Sequence, residues 1–339
     1  MNREKLAALR RKYANAKGGE IFDPAFAAVA ATVFVDADQR KWPFAGVATL
    51  LGAPMAAPDP TGTRGEFGDL DVALVGVPMD LGVTNRAGAR LGPRAVRSVE
   101  RIGPYEHVLK MAPMGMLKVA DIEAFFRRLR AANVIALAVG GDHSITYPIL
   151  KALGDGRPVG MVHIDAHCDS AGEFEGSKFH HGGPFRQAVL DGALDPERSI
   201  QIGIRGGASF LWEFSYESGM TVLHAEEVVE MGIAAVIAKA RAVVGDGPTY
   251  VTFDVDGIDP AFAPGTGTPE VGGLTPREAL AILRGLVGLD IVGGDVVEVA
   301  PQYDATTITA QVGAQMLFTE LCLIAANPKR QRPSRTASD

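Results

Sequence analysis

From residue 70 onward, this sequence predicts a three-layer α/β/α fold built on a mostly parallel sheet. Two features carry that expectation. Short runs rich in β-branched residues alternate with amphipathic or Ala/Leu-rich segments, the order expected of a sheet covered by helices on both faces. The runs are also continuously apolar, which fits strands buried on both sides.

Taken in order, the candidate strands are 71–77, 134–139, 159–164, 199–204, 221–224, 249–253 and 291–299. Helical segments lie between them at 93–101, 122–132, 144–153, 184–190, 225–244 and 276–286, and a long apolar segment at 307–324 closes the fold. Residues 1–68 read as an N-terminal arm, packed on the body or on a neighbouring subunit. It is charged and helical at first, then Ala/Val-rich, then rich in Pro, Gly and Thr. Residues 69–326 read as one catalytic domain, and the polar, basic stretch 327–339 as a disordered tail.

Composition narrows the class. Of 339 residues, 47% are hydrophobic and 22% charged, the balance of a globular chain with a large core. A formal net charge of -7 without a basic stripe argues against a nucleic-acid surface. Apolar stretches such as 233–244 are interrupted by Lys239 and Arg241 and fall short of the ~20 apolar residues of a membrane span. The N-terminus lacks the apolar core of a signal peptide. The two cysteines, Cys168 and Cys322, read as free thiols. Together these features suggest a cytoplasmic protein.

Three strands end in polar clusters: Gly-Gly-Asp-His-Ser at 140–144, Asp-Ala-His-Cys-Asp at 165–169 and Asp-Val-Asp-Gly-Ile-Asp-Pro at 254–260. In a parallel α/β sheet, ligands bind outside the carboxyl ends of the strands, so the three clusters should meet at one edge. Asp165, His167 and Asp169 lie two apart, as do Asp254 and Asp256, and residues two apart in extended chain point the same way. Any one of these acids alone would read as a solvated loop residue or a helix cap. Together they need compensation. Two unit charges ~4 Å apart repel by about 4 kcal/mol at an effective dielectric near 20, and no Lys or Arg lies within the clusters. Two divalent ions would balance four carboxylates. Oxygen and imidazole donors without a committed thiolate suit Mn, Co, Ni or Fe better than a structural zinc site. A pair of ions suggests hydrolysis by a bridging hydroxide. Cys168 should point away from the cluster. His163 is read as alternating with the ligand positions, hence as a packed strand histidine, and His107 and His224 as structural.

These motifs resemble the three signatures of the ureohydrolase family, which includes arginase and agmatinase. The stretches 261–274, 82–93 and 298–301 extend the resemblance, which covers roughly residues 70–325. The agmatinase-like branch, with guanidinobutyrase, guanidinopropionase and the small-guanidine hydrolases, looks closer than true arginase. The resemblance implies an arginase-like fold and hydrolysis of a guanidino C–N bond to urea and an amine. It implies that His143, Asp165, Asp169 and Asp254 bind one metal, and that Asp165, His167, Asp254 and Asp256 bind the other. Mn2+ is the family's usual ion, and the donor set also accepts Ni2+. His181 matches a proton-shuttling loop histidine and Glu298 the carboxylate that receives the guanidinium. On this reading hydroxide held by the metals attacks the guanidinium carbon, Asp169 passes on its proton, and His181 protonates the leaving amine. A trimer or hexamer is implied, with a homologous second subunit as a variant.

Substrate identity is open at this stage. Residues 205–216 are dense in aromatics and could cap a small pocket or simply pack on the sheet. Arg86 could hold a substrate carboxylate or serve the structure. One departure from the branch is a short connection, with the 122–132 helix following 119–121 at once. Two other classes compete. A non-catalytic or partner-dependent subunit should have lost some of these residues, and none is lost. A phosphoesterase would want cations where Glu298 stands, and no phosphate loop is present.

Overall fold

The computed structural model describes residues 3–13, 22–24, 27, 48–54, 70–99, 105–117, 119–121, 126–154, 156–207 and 209–329. The chain divides into two compact units, Met1–Lys41 and Trp42–Asp339. In the first, helix α1 spans Arg3–Tyr13. Most of the 1–68 arm lies outside the described residues.

Among the described residues, the second unit has eight strands: β1 (Val72–Val77), β2 (Val119–Asp121), β3 (Ile135–Gly140), β4 (Val159–Ile164), β5 (Leu194–Ile204), β6 (Thr221–His224), β7 (Thr249–Asp254) and β8 (Ile291–Val297). Their spatial order is β2-β1-β3-β8-β7-β4-β5-β6, and every pairing is parallel. The last strand thus lies in the middle of the sheet. It joins a half made of β1–β3 to a half made of β4–β7.

Both faces are buried, as the continuous apolar runs require. On one face Leu74, Leu137, Val162, Val251 and Val296 pack against α2 (Gly92–Arg97), α9 (Ile233–Val244), α10 (Pro276–Gly285) and α11 (Ile308–Ala325). On the other, Ala138, Met161, Tyr250 and Val297 meet α5 (Thr146–Leu153) and α6 (Pro184–Leu190), while Ala73 and Ala136 pack with Leu129 of α4 (Phe126–Ala131). Leu137 and Ala138 show the period-2 switch within one strand. Helix α11 has the length and hydropathy of a membrane span, but 83% of that window is buried inside the fold.

Several expectations change. Strand β2 was not foreseen. Strand β5 begins at Leu194, five residues before its expected start. The segment 225–244 is two helices, α8 (Ala225–Met231) and α9, broken at Gly232, whose φ of 75° leaves the right-handed helical region. The helix after β2 is described from Phe126, and residues 122–125, where it was expected to begin, lie outside the described residues. Strand β8 stops at Val297, which frees Glu298 from the ladder. Residues 327–329, expected to belong to the tail, are instead anchored to the fold. Asn327 is fully buried and donates to Asp290 Oδ1 (3.0 Å) and the Ile291 carbonyl (3.3 Å), and Lys329 Nζ donates to Asp290 Oδ2 (2.8 Å). Residues 330–339 lie outside the described residues.

Candidate active site

Four adjacent strands, β3, β8, β7 and β4, end at one edge, and each delivers functional side chains just past its last residues. His143 sits on a 3-10 turn directly after β3. Asp142 caps that turn by accepting the Ser144 N–H (3.0 Å) and the Ser144 hydroxyl, and it also accepts the Gly82 N–H (3.0 Å). The turn can dock only because residue 141 is glycine. A Cβ there would lie 2.2 Å from the Met79 carbonyl oxygen. At the end of β7 the Asp254 carboxylate uses Oδ1 to accept the Asp256 N–H (2.8 Å), which leaves Oδ2 to face His143. After β4, Asp165 Oδ1 accepts the His167 N–H (2.6 Å).

The six side chains expected to bind metal converge in two groups. Around His143 Nδ1 stand Asp169 Oδ2 (2.9 Å), Asp165 Oδ2 (3.2 Å) and Asp254 Oδ2 (3.3 Å). Around His167 Nδ1 stand Asp256 Oδ2 (3.1 Å) and Asp165 Oδ1 (3.5 Å). Asp165 belongs to both.

The arrangement fits divalent ions on its own chemistry. His143 Nδ1 is buried, lacks a hydrogen-bond partner and faces three carboxylate oxygens. Ligands ~2.1 Å from a common centre stand about 3 Å from one another, the spacing seen here. Protons answer the charge where cations do not. Burial would push the His143 imidazole down, but Asp165, Asp169 and Asp254 hold it well above its ordinary value. Burial, with the charges of Asp256 and Asp165, pushes Asp254 well up, and burial with Asp165 lifts Asp256 to about 6. Burial would raise Asp165 too, yet His163, His143 and His167 draw it well below the carboxylate range.

Glu298 is buried and has φ +64°, and Asp169 has φ +47°. Non-glycine residues in this region are uncommon and collect at functional sites. Glu298 Oε1 accepts the His143 N–H (2.9 Å) and pairs with His181 Nδ1 (2.9 Å). Its Oε2 is buried without a hydrogen-bond partner. Gly267 lies beside that oxygen: a Cβ there would be 3.7 Å from it. His181 is held from the other side by Thr84, whose N–H donates to Nε2 (3.1 Å) and whose hydroxyl lies 2.7 Å from it. Burial would lower His181, but Glu298 raises it to about 9. The Thr84 hydroxyl serves either ring state, accepting from an imidazolium or donating to a neutral ring. The amide serves only the neutral ring.

His163 corrects an expectation. It lies two residues from Asp165, so it shares that residue's side of the strand, and its Nε2 donates to Asp165 Oδ2 (2.6 Å). Gln201 Nε2 donates to His163 Nδ1 (3.1 Å) and to the Cys168 carbonyl (2.6 Å), which fixes Nε2 as the protonated nitrogen. Cys168 points away, packed with Ile204, Val222 and Trp212, and burial pushes its thiol up to about 12. Its sulfur takes no part in the cluster. Arg86 stacks over Tyr303 (4.3 Å) and donates to the Gly267 (3.2 Å) and Thr266 (2.8 Å) carbonyls, a structural use. In the 205–216 segment, Trp212 packs on His224 (4.5 Å) and donates to the Gly206 carbonyl (3.2 Å), while Phe210 is exposed.

Thr252 and Asp295, polar residues within two central strands, belong to no motif that the sequence singles out. Both are fully buried, which is the signal that marks them.

Known proteins resemble this chain over most of its length. The arginase family model matches residues 70–322. A guanidinopropionase from Pseudomonas aeruginosa is 50% identical over 85% of this chain and 94% of its own. A guanidinobutyrase from the same organism is 41% identical over 83% and 93%. Among solved structures, the proclavaminate amidino hydrolase of Streptomyces clavuligerus superposes with TM-score 0.77 at 36% identity, covering 84% of this chain and 98% of that one. A hypothetical agmatinase from Burkholderia thailandensis gives 0.74 at 37% identity, covering 84% and 92%. With the family model spanning the whole sheet and every cluster at its edge, the chain belongs to the arginase family.

Proposed function

We propose that this protein hydrolyses the guanidino C–N bond of a small guanidino compound, releasing urea and an amine, with two divalent ions at the carboxylate cluster. His143, Asp165, Asp169 and Asp254 would hold one ion, and Asp165, His167, Asp254 and Asp256 the other. Mn2+, the family's usual ion, is the expected one, and the carboxylate and imidazole donors would also accept Ni2+. Two such ions supply Lewis acidity and a water activated at neutral pH.

The chain's own residues do the rest. Glu298 receives the guanidinium at Oε2, and charge-assisted hydrogen bonds to the planar cation orient it. Gly267 leaves room for that plane. Once the cation compensates Glu298, the interaction that raises His181 weakens, and the ring gives its proton to the leaving amine more readily. Asp169 takes up the proton of the attacking water and passes it on.

The observation that carries this reading is Glu298 Oε2, a buried acceptor without a donor beside a cluster suited to metal. Substrates resembling 3-guanidinopropionate and 4-guanidinobutyrate come first, after the relatives' names. Nothing among the described residues favours a non-catalytic or partner-dependent subunit. We take the working form to be a cytoplasmic trimer or hexamer. The test is urea release by purified protein loaded with Mn2+ or Ni2+, against guanidine, agmatine, guanidino acids and alkylated guanidines. Strong release from one compound identifies the substrate, whereas no release from any, with two ions bound, overturns the reading.

A further inference from the structure

Behind His143, away from the carboxylate cluster, a second buried carboxylate is approached by three hydroxyls. Asp295, on β8, is fully buried. Its Oδ1 accepts Thr252 Oγ1 (2.6 Å), and its Oδ2 accepts Thr146 Oγ1 (2.7 Å) and Tyr250 OH (2.8 Å). The donors come from β7 and from the start of α5, so the carboxylate ties the sheet to the helix that follows the His143 turn. Thr252 Oγ1 also lies 2.8 Å from His143 Nε2.

Donor arithmetic then sets the imidazole. A threonine hydroxyl has one hydrogen. Thr252 donates it to Asp295, so toward His143 the same oxygen can only accept. His143 Nε2 must therefore carry a proton, and in the neutral ring Nδ1 must carry the lone pair. That lone pair faces Asp165, Asp169 and Asp254.

We propose that Asp295, acting through Thr252, is a positioning residue that holds His143 in the tautomer able to bind a divalent ion through Nδ1. This rests on the reading of His143 as a ligand. Partners of this kind, beyond the ligands themselves, typically change metal affinity by about 10- to 100-fold. Without the chain, the proton is free to sit on Nδ1, where it would compete with the ion for the same carboxylates.

The experiment titrates chelator-stripped full-length protein with Mn2+ and follows heat and tight-binding stoichiometry. Wild type should bind two ions. Asp295→Asn and Thr252→Val should each weaken one of them by about 10- to 100-fold and leave the other within a few-fold. Thr252→Ser, which keeps the hydroxyl, should retain both. Thr252→Val placed in a His143→Ala background should have no further effect, because the ring it positions is gone. If Asp295→Asn does not fold, the Thr252 pair decides alone. Unchanged affinity in Thr252→Val, equal weakening of both ions, or full additivity with His143→Ala overturns the proposal. Wild-type protein that binds fewer than two ions overturns the metal reading beneath it instead.

Discussion

His143 and His167 present the same atom, Nδ1, to neighbouring groups of carboxylates, but their surroundings differ. The His143 side chain is wholly buried, faces three carboxylates and is held at its far nitrogen by Thr252. The His167 side chain is 22% exposed and faces two carboxylates, and its Nε2 is 3.8 Å from Glu270 Oε1, too far for a hydrogen bond. The ring fits because residue 206 is glycine, where a Cβ would come within 2.5 Å of His167 Nε2. One half of the site is thus more buried and preorganised, and the other opens to solvent. An ion on the His167 side should bind more weakly and exchange faster.

The largest effect should erase this difference. Asp254→Asn should remove both ions and take turnover below detection, as read by metal analysis and urea release. Two ions retained tightly would refute a bridging role. Glu298→Gln tests whether substrate binding is separate from both halves. It should lower kcat/KM by about 10²–10³-fold with metal content intact, and near-normal kinetics would remove Glu298 from the site. Replacing His181 with Ala should cost on the order of 10²-fold. In wild type the acid form of His181 exists below pH about 9 and is lost above it, so kcat/KM should fall as pH rises through that value. The variant should lack this limb, and an identical limb there would assign it to another group. Dialysis against weak chelator separates the two halves directly. His167→Ala should keep one slowly exchanging ion and His143→Ala one fast ion. The reverse order would invert the ranking. The smallest effect belongs to Trp212→Phe, which loses one hydrogen bond worth about 1 kcal/mol and should leave substrate preference unchanged. A changed preference in the urea assay would make that segment part of the pocket.

The clusters were legible in sequence because two physical rules act locally. Side chains two apart share a face of extended chain, and uncompensated carboxylates do not gather without cations. The sheet was legible from its continuous apolar runs. What stayed hidden depended on neighbours distant in sequence. Strand β2 has three residues, too few to show a period. Gly232 breaks a helix through its positive φ, which apolar content on either side conceals. Thr252 and Asp295 gain meaning only when β8 pairs with β7, where they stand directly opposite each other. The same period-2 rule puts His163 on the side of the strand that Asp165 shares.

The place of β8 has a consequence for synthesis. The strand made last is the one that joins the two half-sheets, and His143 stands on one half while Asp165 and Asp254 stand on the other. A nascent chain that has released only residues up to β7 holds the ligands on separate surfaces. Translation at about 5–20 residues per second leaves these half-sheets waiting for the joining strand, with the edges of β3 and β7 unpaired. Metal uptake should therefore be a terminal event of folding. A chain truncated before Ile291 should retain all six ligand side chains yet capture no pair of ions.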